Sequence, residues 1–282
     1  MIRLSLAASI ATLGLSAATA ACSSAPDSTD VSDENVATSA AALSTGVGST
    51  GLGGIESSDP TAAAAALVAS NDGKECRTRT LDPNDPNVVH VVLNDCTGLM
   101  GRHHVSGSLT ITFSANADGS LHLELASDSL TLDGLAATHQ GSADVTFDGN
   151  SRHAVWHSVW THTRRNGELA THNGDHTIDF DSSTGCRTVN GTGVTHVGNR
   201  QIDSTITNLV TCEGTNDVDS CPTGTIEHDN LAKQRKAVET FDGTDVATID
   251  ISRPKGDRTR TVTLNCGKDS QVESNVTAAS GD

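Results

Sequence analysis

The stretch Leu109–Leu125, LTITFSANADGSLHLEL, decides the fold. Leu109, Ile111 and Phe113 alternate with Thr110 and Thr112, and Leu121, Leu123 and Leu125 alternate with His122 and Glu124. A period of two sends successive side chains to opposite faces of a strand, so each run has one apolar and one polar face. Asn116 to Gly119 supplies the turn between them, and the whole reads as a β-hairpin. The same texture recurs from Lys74 onward. Short Thr-, Val- and Ile-rich runs are separated by turn signals at Asp82 to Asn87, Asp133-Gly134, Asp148-Gly149, Asn166-Gly167, Gly198-Asn199, Asp242-Gly243 and Lys255-Gly256. This spacing predicts about 12–14 strands joined by tight turns. The expectation is an all-β antiparallel meander forming a sandwich or barrel over residues 74–282, either one domain or two modules with a boundary near 214–221. An outer-membrane barrel is excluded, because such barrels carry girdles of interfacial aromatics and this chain has two Trp and no Tyr.

Upstream, the composition changes. Residues 22–73 are dominated by Ser, Ala, Thr, Gly and Asp. They hold too little apolar surface to offset the entropy of ordering, which predicts a disordered, low-complexity tether. Within it, Asp59-Pro60 before an alanine run predicts a short helix over 60–69, with Asp59 as its cap. Residues 1–21 run from a single basic residue, Arg3, through the weakly apolar Leu4 to Leu15, to small residues ending at Ala21. That order is a secretory signal peptide.

The junction Thr19-Ala20-Ala21-Cys22 resembles the lipobox of bacterial lipoproteins, although Thr19 stands where an apolar residue is usual. The resemblance covers only this N-terminal segment. It implies that Cys22 is diacylated and becomes the first mature residue, and Ser23 after it resembles lipoproteins sorted to the outer membrane. The alternative is ordinary cleavage after Ala18-Thr19-Ala20, leaving a soluble protein.

Seven cysteines stand at 22, 76, 96, 186, 212, 221 and 266. If acylation consumes Cys22, six remain in a compartment where disulfides persist. With no C-x-x-C pair to suggest zinc, disulfides are expected. The sequential pairing Cys76–Cys96, Cys186–Cys212, Cys221–Cys266 is favoured, because each pair brackets a hairpin or meander that brings its ends together.

The formal charge of −17, from 35 acidic and 18 basic residues, argues against nucleic acid or an anionic lipid surface as partner. The basic residues that do gather, Lys233, Arg235 and Lys236, then Arg253, Lys255, Arg258 and Arg260, lack interleaved aromatics and read as a solvated face. No G-x-S-x-G elbow, H-E-x-x-H helix or P-loop occurs, and no other enzyme motif emerges.

The histidines are the compositional oddity: there are 12, and five fall between His153 and His176. Two strands, about 153–164 and 169–180, flank Asn166-Gly167, a signal for a two-residue type I′ turn. Such a turn sets Arg165 against Glu168, and therefore Thr161 against His172 and His157 against His176. On that register one face carries His153, Val155, His157, Val159, His172, His176, Ile178 and Phe180. His157 and His176, with His172 diagonal to His157 as a third ligand, would then hold zinc or copper. The plain alternative is that these histidines border the core. The other face would set Trp156 and Trp160 beside Asp175 and Asp179, either as a ligand face that stacks a sugar or as core.

These readings converge on an exported protein of the bacterial cell envelope, held at the outer membrane by a lipid anchor. Its β domain is expected to be a non-catalytic binding or structural module with an envelope protein or glycan as partner. The rivals are a metal-binding protein or metalloenzyme, and a periplasmic carrier of an apolar ligand.

Overall fold

A computed structural model describes residues 55–70, 76–97, 104–164, 166–212, 220–264 and 266. The expected signal peptide, Cys22 and the expected tether up to residue 54 lie outside the described residues. The chain opens with helix α1 (Pro60–Ala69). Asp59 caps it by accepting from the Ala62 N–H at 2.7 Å, and proline occupies the first turn, where its missing N–H costs nothing.

Thirteen strands follow among the described residues: β1 (Arg77–Leu81), β2 (Val88–Thr97), β3 (His104–Ala115), β4 (Leu121–Leu132), β5 (Leu135–Asp148), β6 (Ser151–Thr163), β7 (Leu169–Asp181), β8 (Cys186–Val197), β9 (Arg200–Cys212), β10 (Thr223–Asn230), β11 (Arg235–Asp242), β12 (Val246–Ser252) and β13 (Arg258–Thr263). They form one antiparallel sheet whose spatial order is the chain order, β1 through β13. The ladder is continuous across the stretch between β9 and β10, which pair directly.

Alternation does the sorting. Leu109, Ile111, Phe113, Leu121, Leu123 and Leu125 are all buried, while Ser114, Glu124 and Ala126 on the same two strands are exposed. One face of the sheet thus carries buried apolar side chains on every strand from β2 to β12. A flat single layer would leave that face in water, yet buried residues from β2 to β12 join helix residues Ala63, Ala64 and Leu67 in one core cluster. The sheet therefore curls over its own apolar face, with α1 packed against the first three strands. The Arg79 guanidinium fixes the helix end, donating to the carbonyls of Leu67 and Ser70.

Three disulfides staple the sheet: Cys76–Cys96 joins the start of β1 to β2, Cys186–Cys212 joins directly paired residues of β8 and β9, and Cys221–Cys266 brackets β10 to β13. Bulges bend the ladders beside Gly107, Gly191 and Gly224, where φ is +126, +156 and +116.

Candidate functional site

The β6–β7 hairpin corrects the expected register. Thr163 pairs with Leu169, and the Arg164 N–H donates to the Glu168 carbonyl. A type I′ turn needs positive φ at both central residues, but here Gly167 has φ +81 and Asn166 is not among the residues with positive φ. Asn-Gly thus ends a three-residue loop, the glycine taking the left-handed position. Pairing shifts by one residue, and in a period-two structure that reverses the facing of every partner.

His157 consequently pairs with Asp175, Trp156 with His176, and Trp160 with His172. His157 lies on the outer face, while His172 and His176 are buried on the inner one, so the expected trio of His157, His172 and His176 is split between the two sides of the sheet. Among the described residues, no group of three or more His, Cys, Asp or Glu is arranged to hold a metal ion. The second expected set is divided too. Trp156 and Trp160 are each 2% exposed on the inner face, whereas Asp175 and Asp179 face outward. Arg235, expected on a solvated face, is buried on the inner side of β11, while Lys236 beside it reaches out to Glu227 at 2.6 Å.

Two constellations result. On the outer face, histidines are held by aspartates across the ladders. The Nδ1–H of His122 donates to Asp144, that of His153 to Asp179 and that of His157 to Asp175, each at 2.7 Å. His104 holds Asp95 in the same way at 2.9 Å, and His90 reaches Asp82 through Nε2 at 2.9 Å. The His122 hydrogen bond, aided by the Asn116 amide, keeps the Asp144 carboxyl below its ordinary pKa. Holding Nδ1 in this way turns Nε2 of His122, His153 and His157 outward. Thr171, Asn173, Thr177, Asn190, Thr192 and Thr205 continue the polar face across β7 to β9.

Among the described residues, four buried histidines lie on the inner face: His139 of β5, His172 and His176 of β7, and His228 of β10. The His139 ring stacks on Trp160 at 4.1 Å and meets Trp156 edge-on at 6.1 Å. His172 Nδ1 hydrogen-bonds with Thr195 Oγ1 at 2.8 Å, and His228 Nδ1 with Ser204 Oγ at 2.9 Å. Both ring nitrogens of His139, Nε2 of His172 and both indole N–H groups are buried without a hydrogen-bond partner. Glycine makes room for the rings: a Cβ on Gly141 would fall 2.6 Å from the Trp156 ring, and one on Gly193 would fall 2.5 Å from the His172 ring. Burial pushes the histidine pKa values down, to about 3 for His139 and His172 and about 4 for His176 and His228. All four are neutral at physiological pH.

His139 and His228 are inner residues that a search for clustered histidines passes over. Their signal lay in the alternation itself, since His139 shares parity with Ala137, Ala143 and Val145, and His228 with Ile226. No family model, curated protein or solved structure matches this chain.

Proposed function

We propose that this chain is an exported, lipid-anchored module of the bacterial envelope that binds without catalysis, its outer β4–β9 face receiving a hydroxyl-rich envelope glycan. The observation that carries the reading is the set of three aspartate-held histidines on β4 and β6, which fixes acceptors and donors on a rigid sheet. A glycan presents hydroxyls that both donate and accept, and the alternating Asp, His, Thr and Asn groups of this face answer both roles. The negative charge of the chain selects against polyanions. Residues 1–22 supply the address through their resemblance to lipoprotein signals.

The test is co-sedimentation of the full chain with purified cell-wall glycan, together with membrane fractionation of a Cys22→Ser variant. The chain is expected to pellet with the glycan, and His157→Ala combined with Asp175→Ala to weaken binding about tenfold, the worth of one charge-assisted contact. Cys22→Ser is expected to move the protein from the membrane to the soluble fraction. Glycan binding that is absent, or unchanged in the double variant, sinks the proposed surface, and a Cys22→Ser chain that stays membrane-bound sinks the anchor.

A second reading, zinc or copper binding, is favoured by one spot on the same face. His122 Nε2 stands 3.8 Å from Glu124 Oε1, while Asp144 orients the ring from behind, as carboxylates do for metal-bound histidines. Two ligands with water would hold zinc weakly, and His122→Ala is expected to abolish that binding in a calorimetric titration. Binding that survives this substitution rules the spot out.

A further inference from the structure

The inner histidines play no part in the proposed outer surface, and the surroundings of His139 and His172 suit only the neutral ring. An imidazolium has two N–H donors and needs two acceptors. His139 has no acceptor at either nitrogen, and His172 has only Thr195 Oγ1. The groups on the elements around them offer little anionic compensation. From β4, Ser127 Oγ is taken up by the His139 backbone N–H. From β6 come Trp156, Trp160 and the cationic Arg152, whose guanidinium lies over the Phe180 ring of β7 at 4.9 Å. From β7 and β10 come the other histidines, which would charge together and repel one another. The inner face of β11 brings Arg235 and one carboxylate, Glu239, which lies diagonally across the ladder from His228 on the neighbouring β10. Asp175 and His157, on the outer side of the ladder, act on His176 in opposite senses. The one favourable contact for a charged His139 is the Trp160 face on which it stacks.

We propose that the inner face around His139, His172, His176 and His228 is an acid-triggered switch, in which protonation of these rings opens the curled sheet over β5–β7 and exposes Trp156 and Trp160 to water. The sign follows from linkage. The open form binds protons with the ordinary histidine affinity and the closed form binds them far more weakly. Closure is therefore complete above the ordinary histidine pKa and is lost progressively as pH falls below it. Cooperation among neighbouring rings makes the transition steeper than a single titration.

The protein carries its own probe, because its only two tryptophans are Trp156 and Trp160 and it has no tyrosine. Tryptophan emission of the full, oxidised chain is expected to shift to the red between about pH 6 and about pH 4 and to return on neutralisation. His139→Phe keeps a ring against Trp160 that cannot take a proton. It is expected to lower the midpoint by about half a pH unit or more. An emission maximum unchanged across this range, or a midpoint unaltered in both His139→Phe and His172→Phe, overturns the switch. If these variants fail to fold, proton NMR of the unaltered chain decides. Imidazole and indole signals that titrate together support the switch, and an indole transition more than about one pH unit away from imidazole protonation overturns it.

Discussion

Reduction of the three disulfides is expected to unfold the β domain at neutral pH and ordinary temperature. The bridges close sequence separations of 20, 26 and 45 residues. The chain-entropy model assigns about 3 kcal/mol to each of the two shorter loops and about 4 kcal/mol to the longest. Their sum, about 10 kcal/mol, is comparable to the whole stability of a typical domain, about 5–15 kcal/mol. This core is poorly placed to absorb the loss, since it holds few aromatic side chains and five unpartnered buried ring nitrogens on His139, His172, Trp156 and Trp160. Circular dichroism with and without reductant measures the effect. Among the single-bridge variants, Cys221→Ser with Cys266→Ser is expected to fall furthest, by about 10 °C in Tm. A reduced chain that keeps its oxidised unfolding midpoint would show that the sheet stands without its staples.

Gly191→Ala is expected to be the most damaging single substitution near the candidate site, costing about 4 kcal/mol or more. Its φ of +156 lies at a bulge between β8 and β9. A Cβ there would fall 2.3 Å from the Asp175 carbonyl oxygen and 2.5 Å from His176 Nδ1. The oxygen belongs to the β7 backbone, so relief means displacing a ladder rather than rotating a side chain. Gly119→Ala provides the control. It also has positive φ, +87, but no atom within 4 Å of the added carbon, so only the conformational penalty of about 1 kcal/mol remains. Urea unfolding of the two variants separates collision from conformational strain, and equal losses would refute the close approach at Gly191.

The hairpins show why the fold was legible in the sequence and the candidate site only partly so. Alternation within a strand is local, and it placed Leu109, Ile111, Phe113 and the leucines of β4 on the buried face without reference to any partner. Facing across a ladder depends on loop geometry, which two letters do not determine. Asp133 and Gly134 both adopt positive φ, 51° and 77°, and make a two-residue turn between Leu132 and Leu135. Asn166 and Gly167 look alike in sequence but end a longer loop, and that one-residue difference carried His157 away from His172 and His176. The burial of Trp156 and Trp160 bears out the core reading of these two side chains, the largest in the chain, over the ligand face.

Because strand order repeats chain order, each cysteine of the β domain has its neighbour in sequence as its partner in space. A chain delivered amino end first into an oxidising compartment presents Cys96 while Cys76 is the domain's only waiting thiol. Each later pair likewise completes before the next cysteine arrives, so emergence alone writes the native connectivity. Cys22 is the exception to that order: left as a free thiol, it would precede Cys76 and be its first encounter. Acylation at Cys22 would therefore do more than tether the protein, since it would remove the one thiol able to put every later pairing out of step.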